Sequence, residues 1–92
     1  MLIIPEKTRI EESLSLAGEY GLGFEYNDFY IGLDDAAAIG ALIDLYAQNR
    51  PERPCTMHGA FYDIAVGSVD AKIRAVSQER VRQSVDICRR LG

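Results

Sequence analysis

Gly21-Leu22-Gly23-Phe24-Glu25-Tyr26-Asn27 is the stretch that decides how this chain folds. It is short, aromatic and alternating, the pattern of a strand. Gly21 stands where a glycine commonly closes the helix before it. Side chains alternate along a strand, so Gly23, Glu25 and Asn27 share one face and Phe24 and Tyr26 share the other. The bulky set suits a layer beneath helices. The small and polar set is left to line an inner face.

Upstream, Thr8 to Tyr20 has helical spacing. Ile10, Leu14 and Ala17 form a stripe, with Leu16 and Tyr20 one step round it. Glu11 and Glu12 fall in its first turn, where the helix dipole favours carboxylates. Before it, Leu2-Ile3-Ile4 reads as a brief strand stopped by Pro5. Downstream, Asp34 is placed to cap a second helix, Asp35 to Gln48, with Ile39, Leu42, Ile43 and Tyr46 on one face. Arg50-Pro51-Glu52-Arg53-Pro54 cannot continue it, because two prolines break both helix and ladder. Cys55-Thr56-Met57-His58 is the third strand, running into Gly59-Ala60-Phe61. A loop from Tyr62 to Gly67 leads to Ser68, a capping residue for a last helix from about Val69 to Leu91. Ile73, Val81, Val85, Cys88 and Leu91 are its expected apolar stripe, with arginines on the other faces.

The order is strand, helix, strand, helix, strand, helix. Such alternation argues for an α/β fold with parallel strands and right-handed crossovers. A (β/α)8 barrel takes ~250 residues, or ~31 per unit. The 92 residues therefore amount to three units: a parallel βαβαβα segment, an incomplete barrel in one partial domain spanning residues 1–92. The pattern stops where a helix would hand over to a fourth strand. An uncovered edge of parallel strand invites pairing, so self-association through the exposed sheet edge is expected.

Composition narrows the function. Ten Lys and Arg against fourteen Asp and Glu give a net charge of −4, and 48% of the residues are hydrophobic. This is a globular composition, not a disordered one. An acidic chain is a poor partner for nucleic acid, which demands clustered cations. The last helix is locally basic through Lys72, Arg74, Arg80, Arg82, Arg89 and Arg90, but it lacks interleaved aromatics and reads as a solvated outer face. No apolar run approaches the ~20 residues of a membrane helix. Met1 to Pro5 has no basic region and is too short for an export signal, so the expected location is cytoplasmic. Cys55 and Cys88 are then expected as small buried hydrophobes rather than a disulfide.

In parallel α/β sheets, ligands bind beyond the carboxyl ends of the strands. In the third strand Thr56 and His58 share a face, and Cys55 and Met57 share the other. Glu25, Asn27 and His58 thereby converge at the ends of neighbouring strands. Glu25 is a candidate general base, or a ligand for a metal or a sugar hydroxyl; its other reading is a solvated or arginine-paired carboxylate. His58, the sole histidine, reads first as a core imidazole satisfied by a backbone carbonyl. The alternative is a metal ligand or proton carrier. Cys55 and His58 mimic a C-x-x-H spacing, but residues three apart on a strand point opposite ways. Gly18, Gly21 and Gly23 are not a dinucleotide fingerprint, because they precede a strand instead of following one. Asp28, Asp34, Asp35 and Asp63 read as loop and capping residues.

Gly21 to Phe29, Thr56-Met57-His58-Gly59-Ala60-Phe61-Tyr62-Asp63-Ile64, Gly67-Ser68, and Ile73-Arg74 with Glu79 to Ser84 together carry a resemblance. The chain resembles the amino-terminal portion of the xylose isomerase-like TIM barrels, the sugar phosphate isomerase/epimerase superfamily related to endonuclease IV. The most specific part is the strand, His-Gly, Phe segment before a Gly-Ser-capped helix. The resemblance implies a metal-dependent sugar or sugar phosphate isomerase or epimerase, moving a proton through an enediol. It implies a divalent metal (Mn, Mg or Zn) in the complete enzyme. His58 matches a histidine that is a zinc ligand in the endonuclease branch. Glu25 matches a pocket-lining position at the end of strand two, and Asn27 and Phe61 are the substrate-binding candidates. The family's main metal carboxylates and other histidines lie on later strands, so the 92-residue chain alone is expected to be inactive. The alternatives are a self-associating βα fragment without activity and an endonuclease IV-like hydrolase.

Overall fold

The strand ladder is built around Gly23–Tyr26. The computed structural model describes residues 1–30 and 33–92. In order, the elements are β1 (Leu2–Ile3), a 3-10 turn (Lys7–Arg9), α1 (Ile10–Tyr20), β2 (Gly23–Tyr26), α2 (Ala36–Gln48), β3 (Thr56–Met57) and α3 (Ala71–Leu91). The three strands form one parallel sheet in the order β1-β2-β3. Leu2 pairs with Gly23 and Ile3 with Phe24. Glu25 pairs with Thr56 and Tyr26 with Met57. The parallel βαβαβα architecture expected from the sequence is present.

All three helices bury onto one face of this sheet. Phe24 and Tyr26 of β2 are fully buried in a single cluster with Ile10 and Ala17 of α1, Ile39, Ile43 and Tyr46 of α2, and Ile87 and Leu91 of α3. Cys55 and Met57 pack against the cluster from the β3 side. Edge-to-face and tilted contacts of Tyr26 and Phe29 with their aromatic neighbours fill its centre (Tyr26 to Tyr46, 4.8 Å; Phe29 to Tyr46, 6.1 Å). The opposite face carries no helix among the described residues. The radius of gyration is 14.7 Å, against about 12 Å for a compact domain of this length. The chain is a slab, helices on one side and an open sheet on the other.

Local chemistry fixes the joints. Gly21 closes α1 in the left-handed region at φ 66°, and the Leu22 amide donates back to the Ala17 carbonyl at 2.8 Å. Gly23 is required by a close approach: a Cβ there would stand 1.9 Å from the Pro54 carbonyl oxygen. At the far end, Arg50 donates to the Leu91 carbonyl at 2.6 Å, tying α3 to the loop after α2 and placing a cation at a helix C-terminus.

Three sequence expectations need correction. Asp35, not Asp34, caps α2, its side chain accepting from the Ala38 amide at 3.0 Å. Asp70, not Ser68, caps α3: its carboxylate accepts from Lys72 at 2.9 Å and Ile73 at 3.2 Å. Ser68 instead accepts from the Asp70 amide. The larger correction concerns the α3 stripe. Of the expected residues only Leu91 is buried; Ile73, Val81, Val85 and Cys88 are exposed. The buried seam is Ser77, Ser84, Ile87 and Leu91. The physical reason is that α3 lies against the loop after β3, whose amides need partners. Ser84 accepts from Ala60 and Ser77 from Ala65, both at 2.9 Å. Cys88 is therefore not the buried hydrophobe expected, whereas Cys55 is half-buried on the core.

Candidate functional site

The open face of the sheet presents Glu25 and Thr56 side by side, since paired residues in register share a face. Glu25 is half-buried and Thr56 exposed. The ladder continues past β3, the His58 amide donating to the Tyr26 carbonyl at 2.8 Å. His58 lies two residues beyond Thr56 and is exposed, at the carboxyl end of β3. Asn27, half-buried, immediately follows β2 at the corresponding end. Glu25, Asn27 and His58 thus stand at the carboxyl ends of two adjacent parallel strands.

The imidazole of His58 has a defined proton. Nδ1 lies 2.9 Å from the Gly59 carbonyl. A carbonyl only accepts, so Nδ1 is the donor, and in the neutral ring the Nε2 lone pair is free to bind. The ring is embedded in an aromatic shelf: Phe61 at 4.7 Å and Tyr30 at 5.6 Å. Phe61 stacks on Tyr30 (5.3 Å, 25° between planes) and on Tyr62 (4.4 Å, 29°). Phe61 is 49% and Tyr62 58% exposed, so these rings present faces to solvent. Beside the shelf lies a cleft of about 190 Å³ bordered by Tyr30, Asp34, Ala60, Tyr62, Asp63 and Arg80. Asp63 holds φ 56° there, a conformation that aspartate tolerates better than most residues. The loop carrying Phe61 and Tyr62 is anchored by the two serine bonds from α3 described above.

A hydroxyl–carboxylate pair braces the base of the site. Tyr46 of α2 donates to Asp28, which also faces Lys7 at 3.8 Å. Burial, reinforced by the Asp28 bond, pushes the Tyr46 hydroxyl well above the usual tyrosine range, and burial does the same for Tyr26. The Tyr26 hydroxyl has no hydrogen-bond partner among the described residues.

Tyr30 and Tyr62 were not singled out from the sequence. A signal was present: Phe29-Tyr30 and Phe61-Tyr62 are matching doublets a few residues beyond β2 and β3. Nε2 of His58 is a suitable donor, but no cluster of three or more His, Cys, Asp or Glu residues placed to hold an ion occurs among the described residues. Nor is any helix of the described residues long and apolar enough to cross a membrane. No protein-family model, no curated protein and no solved structure matches the chain.

Proposed function

We propose that this chain forms the first three βα units of a xylose isomerase-like TIM barrel, and that the open ends of its strands bind a sugar or sugar phosphate. The observation that carries the reading is the conjunction of Glu25, Asn27 and His58 at neighbouring parallel strand ends with a solvent-facing aromatic shelf. Strands added in sequential order, with all helices on one face, are the winding of a barrel and not of a doubly wound sheet. A sugar has hydroxyls for Glu25, Asn27 and His58 to bind, and a C–H face to lie against the Phe61 and Tyr62 rings.

In this reading Glu25 is the general base: it takes the proton from the carbon next to the sugar carbonyl to give the enediol. A proton then goes to the former carbonyl carbon in an isomerase, with the enediol hydroxyl proton passing between the two oxygens, or to the opposite face of the same carbon in an epimerase. Asn27 orients a hydroxyl and Phe61 positions the ring. The metal-dependent part of the reaction belongs to the complete barrel. The 92-residue chain binds weakly and does not turn over. The endonuclease-like alternative is disfavoured by the net charge of −4.

The test is a titration of the isotopically labelled chain with a ketose and with a ketose phosphate, followed by amide chemical shifts. Shifts confined to residues 25–30 and 56–63, lost in Glu25→Gln and Phe61→Ala, are expected. No shift at millimolar sugar, or shifts spread over the helix side of the slab, would sink the reading. Turnover of either sugar by the chain with added manganese would overturn the claim that it is inactive alone.

A further inference from the structure

We propose that copies of this chain assemble head to tail, the β1 edge and α1 flank of one copy docking against the β3 edge and α3 flank of the next. The inference is independent of the sugar reading. β1 and β3 each pair only with β2 among the described residues, so each carries an unpartnered parallel edge.

The helix beside each edge shows an apolar stripe facing outward. On α1, Leu14 and Gly18 turn toward the Arg50–Arg53 segment, so the opposite flank is the free one. It carries Leu16 (48% exposed) and Tyr20 (65%). On α3, Gln83 bonds the Leu33 carbonyl on the α2 side, and the free flank carries Val81, Val85 and Cys88. These three line an apolar groove of about 260 Å³ against Met57, Gly59 and Ala60, directly beside the β3 edge.

Charge identifies the occupant. α1 contains Glu11, Glu12 and Glu19 and no cation. Helical spacing sets Glu12 and Glu19 alongside Leu16 and Tyr20. Glu12 also holds Arg9, just before the helix, which leaves Glu19 as the unshared carboxylate of these two among the described residues. α3 contains Lys72, Arg74, Arg80, Arg82, Arg89 and Arg90 against Glu79 and Asp86. Arg82 and Arg89 border the Val81, Val85 and Cys88 stripe. An acid-rimmed apolar flank on one end thus matches a base-rimmed apolar flank on the other. A two-fold contact of α3 on α3 would instead set Arg82 and Arg89 against their own copies. The complementary surfaces are different patches, so the contact is heterologous and forms a ring if its rotation closes. It continues the sheet in the same sense, adding a parallel strand beside β3 and a helix beside α3.

The full chain is measured by light scattering after size exclusion, alongside Glu12→Arg/Glu19→Arg, Arg82→Glu/Arg89→Glu, and an equimolar mixture of the two variants. The wild type is expected to exceed the 10.2 kDa of a single chain. Each variant alone is expected at the single-chain mass, because one of its two mating flanks now repels. The mixture re-associates as an assembly of alternating variants with an even number of copies, since each inverted flank meets its inverted counterpart and the unaltered flanks still match. A wild type at single-chain mass, variants with undiminished mass, or a mixture that stays dissociated with wild-type helicity would overturn the proposal. Alkylation of Cys88 in the wild type supplies a reading independent of the variants. Its rate falls several-fold as protein concentration rises if the flank is covered, and a concentration-independent rate counts against the assembly.

Discussion

The hydroxyl of Tyr46, fully buried on α2, donates to the carboxylate of Asp28 in the loop that follows β2. The bond is asymmetric in exposure. The Asp28 side chain keeps 26% of its surface in solvent, while Tyr46 has none to spare. Removing the hydroxyl in Tyr46→Phe leaves Asp28 able to take water and costs about 1 kcal/mol. Removing the carboxylate in Asp28→Ala strands a buried hydroxyl and costs about 2 kcal/mol. Urea denaturation of the two variants checks the order; equal losses would show that the hydroxyl finds another partner.

The same burial predicts alkaline sensitivity. Tyrosines in the unfolded chain lose their protons near pH 10. Tyr26 and Tyr46, raised by burial, keep theirs in the native state. The native state then holds more protons than the unfolded one, so stability falls as pH climbs above about 10. Below that pH the two tyrosines contribute no slope. The urea midpoint at pH 8 and pH 10.5 is the measurement, and Tyr46→Phe should flatten the fall.

Gly23→Ala tests the closeness of β2 to the segment entering β3. The new methyl would overlap the Pro54 carbonyl oxygen, and a backbone atom cannot swing aside as a side chain does. A loss of about 3 kcal/mol is expected, the upper range for overpacking, read as a lower urea midpoint. Gly18→Ala is the control, since nothing lies within 4 Å of a Cβ at that position; within a helix it should stabilise slightly.

Asp70→Ala removes the acceptor for two amides at the start of α3 and should cost about 1 kcal/mol. Asp70→Asn should recover most of it. Ser68→Ala should cost less, because Ser68 serves the turn before the helix and not the helix itself.

The His58 tautomer is open to direct measurement. Nitrogen shifts of the neutral ring should show a protonated Nδ1 and a bare Nε2. The reverse pattern would mean that the Gly59 carbonyl does not hold the ring in solution.

Much of this was legible in the sequence because the strands obey a two-residue alternation. Phe24 and Tyr26 against Glu25 fixed which face is core, and Pro51, Pro54 and Gly21 marked the breaks. α3 misled for a reason a hydropathy pattern cannot carry. Its inward residues at two positions are Ser77 and Ser84, chosen for the loop amides they satisfy, so the apolar period pointed to the flank instead of the seam. The caps slipped by one and two residues because Asp34-Asp35 and Ser68-Val69-Asp70 each offer more than one competent acceptor. The aromatic shelf was missed because Tyr30 and Tyr62 lie in loops, where no periodicity reports on neighbours.

One consequence of β2 reaches beyond its packing. Glu25 faces the open side and Phe24 and Tyr26 the helices, so fold and chemistry are interleaved letter by letter over three positions. Inserting or deleting a single residue here would exchange the two sets, driving Glu25 into the hydrocarbon and Phe24 and Tyr26 out to water. Substitutions can vary one side at a time, but length cannot vary at all. Among lineages of such a chain, β2 should accept changes of residue at Glu25, keep Gly23 where the Pro54 carbonyl stands close, and refuse every change of spacing.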